Sequence, residues 1–198
     1  MYNPEQKYYQ AIYDAGIENY YGGFPISFSD LTVKAESNSF LFDSFILYLV
    51  DNYHKGNSIL DVGCGNNHFV KILRETTKIH AWGIDFACPN ADQIADILDL
   101  PFENKQWDLI TAWDVLEHLR PEQIDVGLKE MSRVSNTFAF VVSRYPAVRR
   151  LPVKHHELHP TIWSKEQWVE HIEKFGKIKE ITSHKTKKKE LFVGRWNG

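Results

Sequence analysis

The chain has 198 residues, a formal net charge of −3, 43% hydrophobic residues and 14% aromatics. That is enough for one sizeable α/β domain, too short for two full ones, and too apolar for a disordered chain. The near-neutral balance gives no general electrostatic pull towards nucleic acid or an anionic membrane.

Two cysteines, Cys64 and Cys88, suggest no disulfide framework and suit a reducing, cytoplasmic setting. The opening Met1–Lys7 lacks the basic-then-apolar pattern of a signal peptide. The most apolar run, Phe40 to Val50, is interrupted by Asp43 and has about half the length that crosses a bilayer. It reads as a buried or amphipathic helix.

In chain order, Tyr8, Tyr9, Ile12, Tyr13 and Ile17 recur at helical spacing, and Gly22-Gly23 ends that segment. A second helix is predicted from about Ser39 to Tyr53, stopped by Gly56. Residues 1–39 are expected to form an N-terminal helical cap on a domain spanning 40–198.

Ser58 to Val62 reads as a strand, His68 to Glu75 as a helix and His80 to Asp85 as a second strand. A third strand is predicted at Ile94–Ile97 and a fourth at Trp107–Ala112. Pro121–Val134 suits a helix with proline in its first turn, and Thr137–Val142 a fifth strand. Ser164 and Gln167 form a capping box for a helix reaching about Phe175. Ile178–Thr182 and Leu191–Trp196 close the chain as an antiparallel hairpin. Strands alternating with helices predict a Rossmann-like, doubly wound and mostly parallel sheet with that hairpin at its edge.

Four segments carry chemistry. In Ile59-Leu60-Asp61-Val62-Gly63-Cys64-Gly65-Asn66-Asn67 a strand ends in glycines, which let the backbone turn sharply and approach a ligand. Alone, that Gly-x-Gly turn also fits a dinucleotide binder or a plain tight turn. Gly83-Ile84-Asp85 places an acid at the end of the second strand, about twenty residues on, where it can accept bonds from ribose hydroxyls. Phe86, next in the chain, is assigned to the same site. Ala95 to Phe102 and Trp107 to Leu119 are the third and fourth segments.

Together, in this order and spacing, the four segments closely resemble class I S-adenosylmethionine (SAM)-dependent methyltransferases. The resemblance implies that Asp61 anchors the cofactor's amino group and that the backbone at Gly63, Cys64 and Gly65 wraps its methionine part. It implies that Asp96 reads the adenine amino group while Ile97 packs on the ring. Ala112, Trp113 and Asp114 should line the methyl-donor pocket. The family has a third glycine where Asn67 stands, and asparagine tolerates the left-handed conformation. The connection between Asp85 and Asp96 is shorter than the family's usual helix.

Methyl transfer needs an aligned nucleophile and, where that nucleophile holds a proton, a base. His118, His156 and His159 are the candidate catalytic residues, with His155 beside them; the loop after the fifth strand lies where open sheets bind ligands. Asp114, Glu117 and His118 are expected on one helical turn. With His156 or His159 they faintly resemble metal-dependent methyltransferases, small-RNA 2′-O-methyltransferases among them. The preferred reading gives Glu117 and His118 a pocket-lining role and assigns no metal. Arg144, Arg149, Arg150 and Lys154 either receive an anionic acceptor or are solvated loop charges. Trp163 and Trp168 read as core or lid packing, and Tyr20, Tyr21 and Phe24 as candidate lid residues.

The expected function is methyl transfer from SAM to an O or N atom of a small-molecule acceptor, releasing S-adenosylhomocysteine. Nucleic acid is a less favoured partner, no membrane is expected, and the oligomeric state is open. A metal-dependent RNA 2′-O-methyltransferase and a non-catalytic SAM-binding subunit are the alternatives.

Overall fold

A computed structural model describes residues 56–146, 159–183 and 188–198. The predicted N-terminal cap, the helix at 39–53, His155, His156, Arg149, Arg150 and Lys154 lie outside these residues.

The described chain runs β1 (Ser58–Val62), α1 (His68–Thr76), β2 (His80–Asp85), β3 (Gln93–Ile94) and β4 (Trp107–Trp113). A 3₁₀ turn (Leu116–His118) follows, then α2 (Pro121–Val134), β5 (Ser135–Ser143), α3 (Lys165–Glu173), β6 (Gly176–Ser183) and β7 (Lys189–Trp196). The seven strands form one sheet in the order β3-β2-β1-β4-β5-β7-β6. The first five are mutually parallel. β7 inserts antiparallel between β5 and β6, so the hairpin is present with its second strand on the inside.

Alternation along the buried strands sends side chains to two cores. Leu60, Ile110, Phe138, Phe140 and Phe192 face the larger one with α2 and α3. Ile59, Leu109, Trp113, Val141 and Val193 face the smaller one with Phe69, Val70 and Leu73 of α1. Ser164 accepts from the Gln167 N–H at 3.2 Å and the Gln167 side chain returns the bond, which is the predicted capping box.

The third strand is shorter than predicted and sits earlier. Asp96 turns the chain there: its Oδ1 accepts from the Leu98 N–H and its carbonyl from the Asp99 N–H, a local competitor for the ladder. Among the described residues, no helix is long and apolar enough to cross a membrane.

Candidate active site

β1 runs into a turn in which three residues are left-handed: Gly63 (φ 70°), Gly65 (φ 52°) and Asn67 (φ 61°). At Gly63 a Cβ would also stand 2.4 Å from Val115 Cγ2, so both backbone and space demand glycine. Asn67 takes the remaining left-handed position, as expected for asparagine. Its side chain lies over β2, where a Cβ on Gly83 would come within 2.1 Å of Asn67 Oδ1. The glycine absent from the turn is thus matched by one on the neighbouring strand.

Asp85 stitches the turn to β2. Its Oδ2 accepts from the Gly65 N–H at 3.0 Å, and its Oδ1 from the N–H groups of Ala87 and Cys88 at 2.9 and 2.8 Å. Asp61, buried beneath the turn, accepts from the Thr111 hydroxyl at 2.6 Å. Burial pushes its carboxyl up to about 8, with the Thr111 bond opposing and the charge of Asp85 adding to the rise.

Across the strand ends, β4 leads into Asp114, itself left-handed (φ 53°). Its carboxylate pairs with Lys189 of β7 through Oδ2, while Oδ1 is buried and has no hydrogen-bond partner among the described residues. Glu117 is fully buried. Its Oε1 accepts from the Ser143 N–H at 2.8 Å, and its Oε2 has no partner among the described residues. Burial first, then the Asp114 charge, raises its carboxyl well above the ordinary range.

His118 and His159 meet edge to face, ring centroids 4.7 Å apart at 81°. The His159 Nδ1–H donates to the Tyr145 carbonyl at 2.7 Å, which leaves its Nε2 as an acceptor. One ligand atom each from Glu117, His118 and His159 lie within 4.8 Å of one another. Thr161 sets this approach: its hydroxyl donates to the Leu119 carbonyl at 2.6 Å and its N–H to the Glu117 carbonyl at 3.3 Å.

A family profile described as "Methyltransferase domain" matches residues 36–177. The chain belongs to this family. The methyltransferase domain is 27% identical over 128 residues to the human protein named "Probable tRNA methyltransferase 9B", covering 60% of this chain and 26% of that protein. The match thus spans about a quarter of that relative's length. Among solved structures, a S-adenosylmethionine-dependent methyltransferase from Clostridium acetobutylicum superposes with a TM-score of 0.65 at 15% identity, covering 99% of this chain and 100% of that one. Geranyl diphosphate C-methyltransferase from Streptomyces coelicolor, solved with Mg²⁺, geranyl diphosphate and S-adenosyl-L-homocysteine, gives 0.68 at 12% identity with full coverage of both chains. These likenesses establish the fold.

The turn of the methyltransferase domain fits SAM. The left-handed Gly63 and Gly65 turn the backbone sharply at the end of β1, where a ligand can approach it closely, and buried Asp61 is an acid that an ammonium group would hold ionised. Asp85 stands at the predicted place, but it also holds the loop through three N–H groups, a role that spacing alone does not reveal.

The remaining expected contacts have the following surroundings. The Ile97 side chain enters the larger core, near where a Cβ on Gly127 would project. Trp113 packs edge-on against Phe69, 5.4 Å away, inside the smaller core, and Ala112 is buried in the larger one. Phe86 is half-buried beside the turn.

The expectation that Asp114, Glu117 and His118 share one helical turn is corrected. Asp114 precedes the turn in a left-handed conformation and faces Lys189; only Glu117 and His118 lie on the 3₁₀ turn. Arg144 pairs with buried Glu190 at 3.1 Å. Trp163 stacks on His171, centroids 4.2 Å apart, and Trp168 is core. Sequence reasoning missed Lys189, Glu190 and Thr161. Strand order brings the first two to the site, and only the observed loop path brings the third.

Proposed function

We propose that this domain transfers a methyl group from SAM to an oxygen or nitrogen of a small-molecule acceptor, releasing S-adenosylhomocysteine. The observation that carries the reading is the convergence of Glu117, His118 and His159 beside the strand ends, across from the glycine turn that fits the cofactor. SAM supplies a methyl on a positively charged sulfur, so the donor arrives activated.

The chain then has three tasks. Asp61, Asp85, Asp96 and the turn backbone hold the donor. The ends of β4 and β5, where Trp113 and Val141 are buried, are assigned the exclusion of water. His118 and His159 face the acceptor's reacting atom and deal with its proton as the new bond to carbon forms and the C–S electron pair returns to sulfur. A small acceptor is favoured because two basic groups near the site, Lys189 and Arg144, are engaged by Asp114 and Glu190.

The second reading is an RNA acceptor, favoured by the likeness to the bovine and human proteins named "Probable tRNA methyltransferase 9B". Calorimetry with SAM and S-adenosylhomocysteine comes first, and binding of both is expected. Release of S-adenosylhomocysteine is then followed with panels of small alcohols, acids and amines, and with bulk transfer RNA. Turnover with a small acceptor is expected. Labelled methyl appearing on RNA alone replaces the first reading by the second, and a folded protein that binds neither ligand overturns both.

A further inference from the structure

We propose that Glu117, His118 and His159 form a binding site for one divalent transition-metal ion of the Zn²⁺ class, which holds the acceptor's reacting oxygen or nitrogen. The proposal rests on the reading of this cluster as the acceptor side. Three observations carry it. Two imidazoles and one carboxylate offer ligand atoms within 4.8 Å of one another. Two of these residues are adjacent on a 3₁₀ turn, and the third arrives from the segment pinned by Thr161.

Next, the Oε2 of Glu117 is buried with no hydrogen-bond partner among the described residues, although its Oε1 is held by the Ser143 N–H. A buried carboxylate oxygen left this way costs free energy that a cation would recover. Lastly, His159 already has the arrangement of a metal-ligating histidine: one ring N–H donates to a backbone carbonyl, which fixes the tautomer and leaves the other nitrogen's lone pair for a ligand.

The donor set decides the metal class. Two nitrogens and one carboxylate oxygen match three-ligand zinc sites with an open fourth position, whereas Mg²⁺ and Ca²⁺ prefer sets made of oxygen. Ligand atoms about 2.1 Å from one ion stand roughly 3–4 Å apart, so loading requires the side chains to close by about 1 Å. Asp114 is not counted as a ligand, because Lys189 holds its carboxylate. With both imidazoles on the ion, the ion would take over the histidines' part in handling the proton: an acceptor hydroxyl at the open position would ionise more readily, its proton passing to water.

The probe is Co²⁺, whose visible absorption reports ligand geometry and which zinc sites accept. The full chain, stripped with a chelator, is titrated with Co²⁺, and Zn²⁺ and Mg²⁺ are then added as competitors. One equivalent of an intense band is expected, displaced by Zn²⁺ and not by Mg²⁺. Affinity should fall at least tenfold in His118→Ala and in His159→Ala. It should stay unchanged in His68→Ala, an exposed histidine outside the cluster.

Glu117→Gln keeps an oxygen for the Ser143 N–H and so tests the carboxylate without removing that bond. It should also weaken Co²⁺. No band in a folded protein, or a band that survives both histidine variants, overturns the proposal. Calorimetry with S-adenosylhomocysteine on the same sample separates the two claims. Cofactor binding without a Co²⁺ band removes the metal site alone, whereas loss of cofactor binding removes the methyltransferase reading.

Discussion

Asp61 is a single residue whose protonation the fold controls. Its ordinary value is 3.8, and burial carries it up to about 8. Because the folded state holds the proton more tightly than the unfolded chain, the free energy this group contributes is fully present below the unfolded value. It is lost as pH rises through about 8. Asp61→Asn mimics the protonated acid and removes that loss. In the cofactor-free protein, thermal melts should show the variant melting a few degrees above the parent at about pH 9 and close to it at about pH 4. The same variant should bind SAM at least tenfold more weakly by calorimetry, since a neutral amide oxygen accepts from an ammonium group without the opposite charge that strengthens the bond. Equal melting at both pH values would remove the buried acid as a stability determinant, and unchanged SAM affinity would remove its anchoring role.

At the scale of elements, the junctions of strand, turn and helix decide the site. Gly83 on β2 makes room for Asn67 in the turn. Gly83→Ala should lower stability by roughly 1–3 kcal/mol in urea unfolding, since its Cβ would overlap Asn67 Oδ1 and crowd Cys64 Sγ, 2.9 Å away. Adding Asn67→Gly should recover part of the loss, because glycine clears the overlap and adopts the left-handed φ; additive losses in the double variant would refute the coupling.

Thr161 is a positioning residue for His159. Thr161→Val preserves shape but deprives the Leu119 carbonyl of its donor. It should lower kcat about tenfold while leaving SAM affinity intact, and Thr161→Ser should restore activity. A variant with normal kcat would show that His159 is held by other contacts.

The same junctions show how far the sequence could be read. The helices at 68–76, 121–134 and 165–173 were legible because apolar spacing and capping residues are local signals. The glycine turn was legible because left-handed backbone restricts residue type. The short β3 was not, because side-chain bonding by Asp96 overrides the strand pattern of its neighbours. Nor was Asp114's conformation, since a helical reading of Asp-x-x-Glu-His assumes a backbone that the end of β4 does not adopt.

At the scale of the whole molecule, the position of β7 explains residues that no motif could place. Because β7 lies beside β5 and not at the sheet edge, Lys189 and Glu190 stand close to the ends of β4 and β5, far away in sequence. Lys189 pairs with Asp114 across β5, and Arg144 at the end of β5 pairs with Glu190. Ser183 of β6 donates to the other oxygen of Glu190 at 2.6 Å, so three strands share one polar seam.

The Lys189–Asp114 pair is partly buried and stands near fully buried Glu117, so losing one partner leaves an uncompensated carboxylate in a poorly solvated place. Lys189→Met should therefore destabilise the protein by roughly 1–3 kcal/mol in urea unfolding. Asp114→Asn alone should cost less, because the Lys189 ammonium it leaves unpaired sits on a long, partly exposed side chain that can reach water. The double variant should be less destabilised than the sum of the two, with a coupling of about 1 kcal/mol or more. Simple additivity would show that the pair forms no energetic link between β7 and the site. Positive coupling would mean that β7, through Lys189, helps to set the charge around Asp114 and Glu117, the group proposed to face the acceptor.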